Sequence, residues 1–350
     1  MDRYIGLDVH TASTTMAVVG PTGRRIRSQV VDTSAGPLVE ALRGIGGDRH
    51  VCLEEGVQSS WLYEVLEPHA AEVVVVCGWP PRGPKNDEKD AYWLAEQLRI
   101  GAVERRVFKG VGPFRQLREL SRVHTMMVRD VVRVQNRIRS MYRSCGVRTT
   151  ERVYSRKHRE AWLSKLPQVQ RVSVLRLYEQ YDAVEPIRRQ AEKEMVREAH
   201  RHSISHVLES CPGLGPIRVA QLLPVVVSPW RFRTKRQFWS YCGLGIVMRS
   251  SSDWVPKPGG GWQWAQQPQT RGLNRRHNRQ LKTVFKGAAT SVLMQHQSDP
   301  LYVVYRRATE SGTKPNLAKL TLARKIAAIA LSIWKSSKEY DPKQVIQTES

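Results

Sequence analysis

Cysteine is scarce in this sequence of 350 residues, and the few cysteines show no pairing pattern. Their odd number prevents complete pairing within one chain, and no two of them form a C-x-x-C motif; they are Cys52, Cys77, Cys145, Cys211 and Cys242. This distribution excludes a disulfide-stabilised secreted domain and a cysteine-ligated zinc domain. We expect a reduced, cytoplasmic protein without a zinc site.

Long apolar runs are also missing from the sequence. No run approaches the roughly 18 residues that a membrane-spanning helix needs. The first residues, MDRYIGLDVH, lack the basic and then apolar pattern of a signal peptide. No low-complexity tract and no repeat of fixed period is present, which argues against a solenoid. We therefore expect a soluble protein that has no membrane partner.

Acidic residues are few, because 32 Asp and Glu stand against 56 Lys and Arg, for a formal charge of +24. Such an excess of positive charge predicts a polyanionic partner. The excess is uneven: residues 1–100 contain 14 acidic and 10 basic side chains, and the remaining residues contain 18 and 46. Concentrated acid has no use in a protein that only coats DNA, so this asymmetry favours a metal-binding catalytic domain joined to phosphate-binding domains.

The hydrophobic pattern of the first hundred residues predicts an α/β layer. Apolar runs between polar turns indicate a three-strand meander over 4–9, 15–19 and 26–31. After it, helices and parallel strands should alternate, with helices over 38–42 and 60–66 and strands over 50–53 and 72–77. Apolar residues at helical spacing then predict a helix from Asp87 to Ile100, with Asp87 and Asp90 in its first turn.

Long helical patterns follow this layer. A heptad pattern runs from Leu117 to Met141, with His124 as a tolerated polar residue in the seam. A second helical stretch covers about 172–205, and Pro186 is expected to bend or interrupt it. The two could form an antiparallel pair or a coiled coil between chains, and we expect the seam to join protomers into a dimer or tetramer. The apolar stretch 316–334 predicts the closing core helix.

Separated carboxylates are the first sign of chemistry. Asp8 lies within an apolar strand, where an unpaired carboxylate is costly to bury, which favours a nearby cation, although a lone Asp is more often an exposed strand residue or a helix cap. Glu54 and Glu55 follow the next predicted strand, and Asp87 and Asp90 lie on one face of a helix. Phosphodiester chemistry uses hard cations, and carboxylates are the ligands that magnesium prefers.

Basic and aromatic residues are mixed over residues 230–286, which contain twelve basic side chains and one acidic one. Such mixing is typical of a nucleic-acid surface. The residues that we expect to bind nucleic acid are Arg231, Arg233, Lys235, Arg236, Arg271, Arg275 and Arg276. The glycine-rich turn in 211–220 is expected to hold DNA phosphates at the start of the following helix.

Six motifs occur in a fixed order: GLDVH at 6–10, LEEG at 53–56, KNDEKDA at 85–91, PGLGPIRVA at 212–220, RFRTKRQFWSYCGLGI at 231–246 and RGLNRRHN at 271–278. With them, nearly the whole chain resembles the insertion-sequence transposases of the RNA-guided bridge recombinase type, which have an N-terminal RuvC-like DEDD domain and a C-terminal serine-bearing transposase domain. The resemblance implies an RNase H/RuvC-like α/β catalytic domain at 1–110, a helical coiled-coil segment at 111–205 and a mainly α-helical transposase domain at 206–350.

The resemblance also implies the residues of the active site. Asp8, Glu54, Asp87 and Asp90 would be the DEDD metal ligands, with Glu55 as the alternative to Glu54. Mg²⁺ is the expected ion and Mn²⁺ its alternative.

A serine nucleophile is further implied after the GLGI segment, and its distance from Gly243 favours Ser251 over Ser250 and Ser252. A hydroxyl needs a base or a metal to take its proton before it can attack. The implied partners are DNA and a structured guide RNA that selects target and donor DNA by base pairing.

Three other functions are compatible with parts of the sequence. A RuvC-like structure-specific endonuclease would need the four acids but no serine, because a metal-activated water would attack. Actin-like ATPases and sugar kinases share the Gly6-Leu7-Asp8 strand, but their further phosphate and adenosine loops are not found. A non-catalytic nucleic-acid-binding protein would gain nothing from an acidic N-terminal segment.

Overall fold

The computed structural model describes residues 1–77, 86–103, 106–110, 112–249, 254–264 and 269–343. By its contacts the chain divides into two compact units, Met1–Val111 and Gly112–Ser350. The division of the second unit at residue 205 into a helical segment and a transposase domain stays a prediction. Within the described ranges, none of the helices combines the length and apolarity that crossing a membrane would require.

The first unit is built on a mixed six-stranded sheet. Its strands are β1 (Asp2–Val9), β2 (Ser13–Val19), β3 (Arg25–Asp32), β4 (Asp48–Glu54), β5 (Glu72–Val76) and β6 (Arg106–Val107), in the spatial order β3-β2-β1-β4-β5-β6. β1, β2 and β3 form the predicted antiparallel meander, and β4 and β5 extend it in parallel. The edge strand β6 was not predicted, because two residues are too few to show a pattern.

Helices cover both faces of this sheet. α1 (Ala35–Arg43) and α2 (Ser59–Leu66) bury Leu38 and Leu62 against Ile5 and Leu7 of β1. α3 (Asp87–Arg99) lies on the opposite face, where its apolar residues pack on β2, β4 and β5. The sheet is therefore covered by helices on both faces, while the edge strand β3 stays largely exposed.

The second unit begins with two long helices. α4 (Arg115–Ser144), the short α5 (Arg159–Leu163) and α6 (Gln168–Ala199) follow one another, and α4 and α6 pack along their lengths as an antiparallel pair. The hydroxyls of Tyr142 and Tyr178 lie 3.0 Å apart where α4 ends and α6 begins. Nε2 of His124 lies 3.5 Å from the carboxylate of Glu192, nearer the other end of the pair.

The heptad seam of α4 is buried within the chain. Leu117, Val131 and Ile138 are each at most 5% exposed, and His124 is buried among them as expected of a core polar residue. Burial lowers the pKa of His124, against the opposing effect of Glu192. The argument that an exposed seam must join two protomers is therefore wrong. A dimer or tetramer stays a prediction that light scattering can check.

Pro186 lies inside α6 and does not interrupt it. A proline within a helix removes one N–H donor and leaves a carbonyl without its helical partner. Of the two expected effects, the interruption was wrong because α6 continues through Pro186, and the bend stays a prediction.

The remaining chain is mainly helical, as predicted. Its helices are α7 (Ile204–Glu209), α8 (Pro216–Val226), α9 (Lys235–Tyr241), α10 (Arg279–Gln295), α11 (Pro300–Glu310) and α12 (Pro315–Ser336). The strands β7 (Ile246–Arg249) and β10 (Gln269–Leu273) form one small sheet, and β8 (Trp254–Pro256) and β9 (Trp262–Trp264) form another. Short 3-10 turns lie at Glu67–His69, Gly112–Phe114, Glu151–Tyr154, Arg156–His158 and Pro229–Arg231.

Two apolar cores support the second unit. One joins the start of α4 and the end of α6 to α7–α12, with Leu117 and Met195 buried beside Phe285 and Ile326. The other lies where α4 ends and α6 begins, around Tyr142. The predicted closing helix is α12, which contributes a continuous row of buried residues to the first of these cores.

Candidate metal centre

Asp8 and Glu54 lie on the same face of the sheet. Side chains alternate along a strand, so Gly6 and Asp8 of β1 point away from Leu7, which packs under α1 and α2. β1 and β4 pair in parallel with Leu7 opposite Leu53. The next residues, Asp8 and Glu54, therefore continue this register on the face that α3 covers.

A glycine lets α3 approach this face closely. A Cβ atom on Gly6 would lie 1.8 Å from the backbone oxygen of Ala91 and 2.7 Å from the backbone nitrogen of Ala95. Only a residue without a side chain fits between β1 and α3 at this distance. The close approach places the first turn of α3, which contains Asp87 and Asp90, beside the end of β1.

The start of α3 is well defined. The Asn86 side chain accepts a hydrogen bond of 3.0 Å from the backbone N–H of Lys89, which caps the helix. Glu88, between the two aspartates, accepts a hydrogen bond of 2.5 Å from Ser28 Oγ on β3. This bond directs Glu88 to a neighbouring strand, while Asp87 lies beside Asp8 and His10.

The carboxylates influence one another. Burial raises the pKa of Asp8; His10 opposes this shift, and Asp87, Asp90 and Glu54 add to it. Nε2 of His10 lies 3.3 Å from Asp87 Oδ2 and 3.6 Å from Asp8 Oδ2. The structure thus brings Asp8 and Asp87 together with His10, and the charges of Asp90 and Glu54 also act on Asp8.

Glu54 and its neighbour Glu55 have different surroundings. Nζ of Lys109 donates a hydrogen bond of 2.7 Å to Glu55 Oε1. Partial burial tends to raise the pKa of Glu55, but the hydrogen bond and charge of Lys109 together with a hydrogen bond to Cys77 outweigh it, and the pKa is lowered. Glu55 is therefore neutralised within the chain, whereas Glu54 acts on Asp8.

His10 is a residue of this cluster that the sequence analysis missed. Its ring nitrogen and one oxygen each of Asp8 and Asp87 all lie within 4.8 Å of one another, so the three could contact a single ion. The sequence did contain a signal, because His10 follows Asp8 by two residues and comes directly after the same strand.

The predicted nucleophile, Ser251, lies outside the described residues, as do Ser250 and Ser252. The preceding strand β7 ends at Arg249 and pairs with β10, with Arg249 opposite Gln269. The following strand β8 begins at Trp254.

The predicted nucleic-acid-binding residues have different environments. Arg231 is partly buried, and its guanidinium donates to the carbonyls of Val225 at 3.1 Å and Val226 at 2.8 Å. It therefore satisfies carbonyls at the end of α8. The exposed members of the set are Arg233, Lys235, Arg236, Arg275 and Arg276. Arg271 lies on β10, and its side chain is outside the described part of the chain.

The glycine-rich turn before α8 packs closely on α10. Gly213 has φ +83°, and a Cβ there would lie 2.5 Å from the carbonyl oxygen of Ala288. The Arg218 side chain donates a hydrogen bond of 2.9 Å to the Gly213 carbonyl, and burial lowers the pKa of Arg218. Glycine and arginine both stabilise the turn here, and its predicted binding of DNA phosphates stays a prediction.

Comparison with known proteins agrees with this arrangement. The model of the DEDD transposase family of IS110, described as a transposase, matches residues 5–145. The model described as the transposase IS116/IS110/IS902 family matches residues 205–303. No curated protein matches the chain.

The first match contains Asp8, Glu54, Asp87 and Asp90, and domains of this RuvC-like DEDD class typically use divalent metals. The second match contains the glycine-rich turn and the strands on either side of Ser251. Because the two matches follow one another in the order expected of one transposase, this chain belongs to the IS110 family and is a DNA transposase.

Proposed function

We propose that this transposase cuts and rejoins DNA with a divalent metal held by Asp8, Glu54, Asp87 and Asp90, and with Ser251 as the nucleophile. The observation that carries the metal site is geometric: ligand atoms of Asp8, His10 and Asp87 lie within 4.8 Å of one another. Glu54 follows Leu53 in the register that places Leu53 opposite Leu7, and Asp90 lies in the same helical turn as Asp87. Such a cluster costs free energy in the folded chain unless a cation compensates for it.

The donor set fits a hard cation. Carboxylate oxygens are the ligands that Mg²⁺ prefers, and Mn²⁺ accepts the same set. When bound, such an ion would stabilise the negative charge that develops on a phosphate during strand cleavage. Two residues of this chain position the ligands. Asn86 caps the start of α3, and Gly6 allows α3 to approach β1 closely, so that Asp87 and Asp90 lie near Asp8.

Substitutions of two adjacent residues, Glu54 and Glu55, test the proposed metal site. We expect Glu54→Ala to abolish strand cleavage and Glu55→Ala to retain it, because Glu55 is already paired with Lys109. Asp8→Ala and Asp90→Ala should also abolish cleavage, and EDTA should stop the wild-type reaction. Undiminished cleavage in EDTA would refute the metal mechanism. If Glu55→Ala lost strand cleavage and Glu54→Ala kept it, Glu55 would be the metal ligand in place of Glu54.

The proposal that Ser251 is the nucleophile rests on the resemblance to serine-bearing transposases and on the distance of Ser251 from Gly243 along the sequence. In the proposed step, Ser251 Oγ gives up its proton and forms a bond to phosphorus, the bond from phosphorus to one sugar oxygen breaks, and that oxygen takes up a proton in exchange. The covalent phosphoserine conserves the energy of the broken bond, so a second DNA strand can be joined by the reverse step.

Mass spectrometry of reactions stopped with denaturant tests this step. The wild type should carry DNA on a peptide that contains Ser251, and Ser251→Ala should bind DNA normally without forming the adduct. An adduct on Ser250 or Ser252 would correct the position of the nucleophile. If no adduct forms with any metal while cleavage continues, hydrolysis by water replaces the serine mechanism, as in a RuvC-like endonuclease.

The second unit is proposed to bind DNA and a structured guide RNA through its exposed basic residues. Arg233, Lys235 and Arg236 lie beside one another at the start of α9, where their charges are exposed. Each contact of such a residue with a phosphate releases about one counterion. Lys235→Glu and Arg236→Glu should therefore each reduce the slope of the logarithm of the binding constant against the logarithm of the salt concentration by about one.

The guide RNA needs a separate test, because basic charge alone does not distinguish RNA from DNA. Sequencing of the nucleic acid that purifies with the full-length protein should recover one structured RNA. Recovery of DNA only, or of unrelated RNA fragments, would count against a guide.

A further inference from the structure

A second group of metal-binding side chains lies at the junction of α6 and α7, outside the acidic cluster. His200 directly follows the last residue of α6, and His206 and Glu209 are one helical turn apart on α7. One ligand atom from each of the three side chains lies within 4.8 Å of the other two. Within the described part of the chain, this group and the Asp8 cluster are the two that could hold a metal ion.

The three side chains already lie against one another. Nε2 of His200 lies 2.9 Å from Glu209 Oε1, and the rings of His200 and His206 stack with their centroids 5.0 Å apart. Ser205 is fully buried, and its hydroxyl donates a hydrogen bond of 2.9 Å to the same carboxylate oxygen of Glu209. A buried hydroxyl that orients a carboxylate is the kind of support that metal ligands commonly have.

The surroundings leave this group available to an ion. The nearby cation Arg201 donates to Glu198 at 2.9 Å, so that arginine is paired with a different carboxylate. His200 and Glu209 keep 36% and 19% of their side-chain surface exposed, which gives solvent access to the group. His206 is exposed as well.

We propose that His200, His206 and Glu209 bind one Zn²⁺ ion, with water as the fourth ligand. Imidazole ligands favour zinc and related transition metals over magnesium, in contrast to the carboxylates around Asp8. Tetrahedral zinc with bonds of about 2.0–2.2 Å brings its ligand atoms to roughly 3.4 Å from one another. A maximum separation of 4.8 Å closes to that distance by small rotations of exposed side chains.

The ion would fasten the end of α6 to α7, which directly precedes the glycine-rich turn and α8. The expectation of no zinc site rested on the cysteines alone and did not consider histidines. This inference does not depend on the proposed mechanism at the acidic cluster, because it involves other residues and another class of metal.

The test is a zinc titration of the full-length protein after chelation, in excess Mg²⁺ so that carboxylate sites prefer the abundant ion. The wild type should bind one Zn²⁺ per chain. His200→Ala and His206→Ala should each weaken binding at least 10-fold, and Ser205→Ala should weaken it about 10-fold through the loss of carboxylate orientation. His296→Ala is the control, because His296 belongs to neither group of metal-binding side chains.

Two further measurements keep the result unambiguous. Co²⁺ in place of Zn²⁺ should give the intense visible absorption of a tetrahedral ion, and His206→Gln, which keeps the size of the side chain, should abolish it. His10→Ala should leave this signal unchanged. A signal lost in His10→Ala and kept in His206→Gln would place the ion at the acidic cluster and overturn the proposal. Failure of the wild type to bind Zn²⁺ more tightly than His206→Ala would also overturn it.

Discussion

Gly6→Ala is expected to separate α3 from the sheet, because backbone atoms leave no room for a methyl group. The new Cβ would lie 1.8 Å from the oxygen of Ala91, and a contact between non-bonded heavy atoms needs about 3.5 Å. The helix must therefore move by roughly 1.5 Å or the strand must distort. Overpacking of a core typically costs roughly 1–3 kcal/mol, and we expect the upper part of that range because backbone cannot rotate away.

The same movement carries Asp87 and Asp90 away from Asp8. A misplacement of about 1 Å at a reaction centre can reduce a rate about 100-fold. Gly6→Ala should therefore lose about 100-fold in strand cleavage and bind Mn²⁺ more weakly. In hydrogen-exchange mass spectrometry, amides of α3 should exchange faster than in the wild type.

Gly36→Ala is the matched control for this change. Gly36 lies in α1, and a Cβ there meets nothing within 4 Å. Alanine is a better helix former than glycine by about 1 kcal/mol, so this variant should be at least as stable as the wild type and fully active. Wild-type exchange and cleavage in Gly6→Ala would refute the close contact between β1 and α3.

Three further substitutions test charges and hydrogen bonds. Asp8→Asn should raise the midpoint of thermal unfolding of the metal-free protein at neutral pH. The pKa of Asp8 is raised in the folded protein, so ionisation of Asp8 reduces stability as the pH rises through that pKa, and Asn cannot ionise. An unchanged midpoint would contradict this. Asp182→Ala should cost about 2 kcal/mol in urea unfolding, because Arg159 loses its partner. The hydrogen bond from Arg159 lowers the pKa of Asp182, against the opposing effect of burial, so the wild-type advantage should disappear as the pH falls through that lowered pKa. Tyr142→Phe should cost about 1 kcal/mol by the same assay, because Tyr178 keeps a buried hydroxyl without its 3.0 Å partner; no loss would refute that bond.

Much of the first unit could be predicted because its signals are local. The strands alternate apolar and polar residues or are wholly apolar, and the helices have one apolar face. The choice between Glu54 and Glu55 was harder, since both follow the same strand. Register decides their faces: Leu53 lies opposite Leu7, which puts Glu54 beside Asp8. Pairing between strands that are about forty residues apart is not visible in either strand alone.

Features of the second unit that the sequence did not reveal have a common cause: the sequence of one segment does not show which other segment of the chain packs against it. The α4 seam looked like a surface for a second chain because nothing local shows that α6 covers it. The binding of nucleic acid by Arg231 stays a prediction, but its contacts with carbonyls of α8 could not be foreseen because they depend on tertiary packing. The pairing of β7 with β10 joins segments separated by about twenty residues, and neither is long enough to show a pattern.

The antiparallel pair of α4 and α6 has a consequence for how this chain can change in length. α4 has 30 residues and α6 has 32, so the pair extends for about 45 Å at 1.5 Å per residue. One residue inserted into α4 would turn everything beyond it by about 100° and move Ile138 out of the seam. An insertion of seven residues in both helices at once would restore the facing residues. The length of the pair can therefore change only by whole heptads, about 10 Å at a time. Insertions of other lengths would turn the apolar residues out of the interface between α4 and α6.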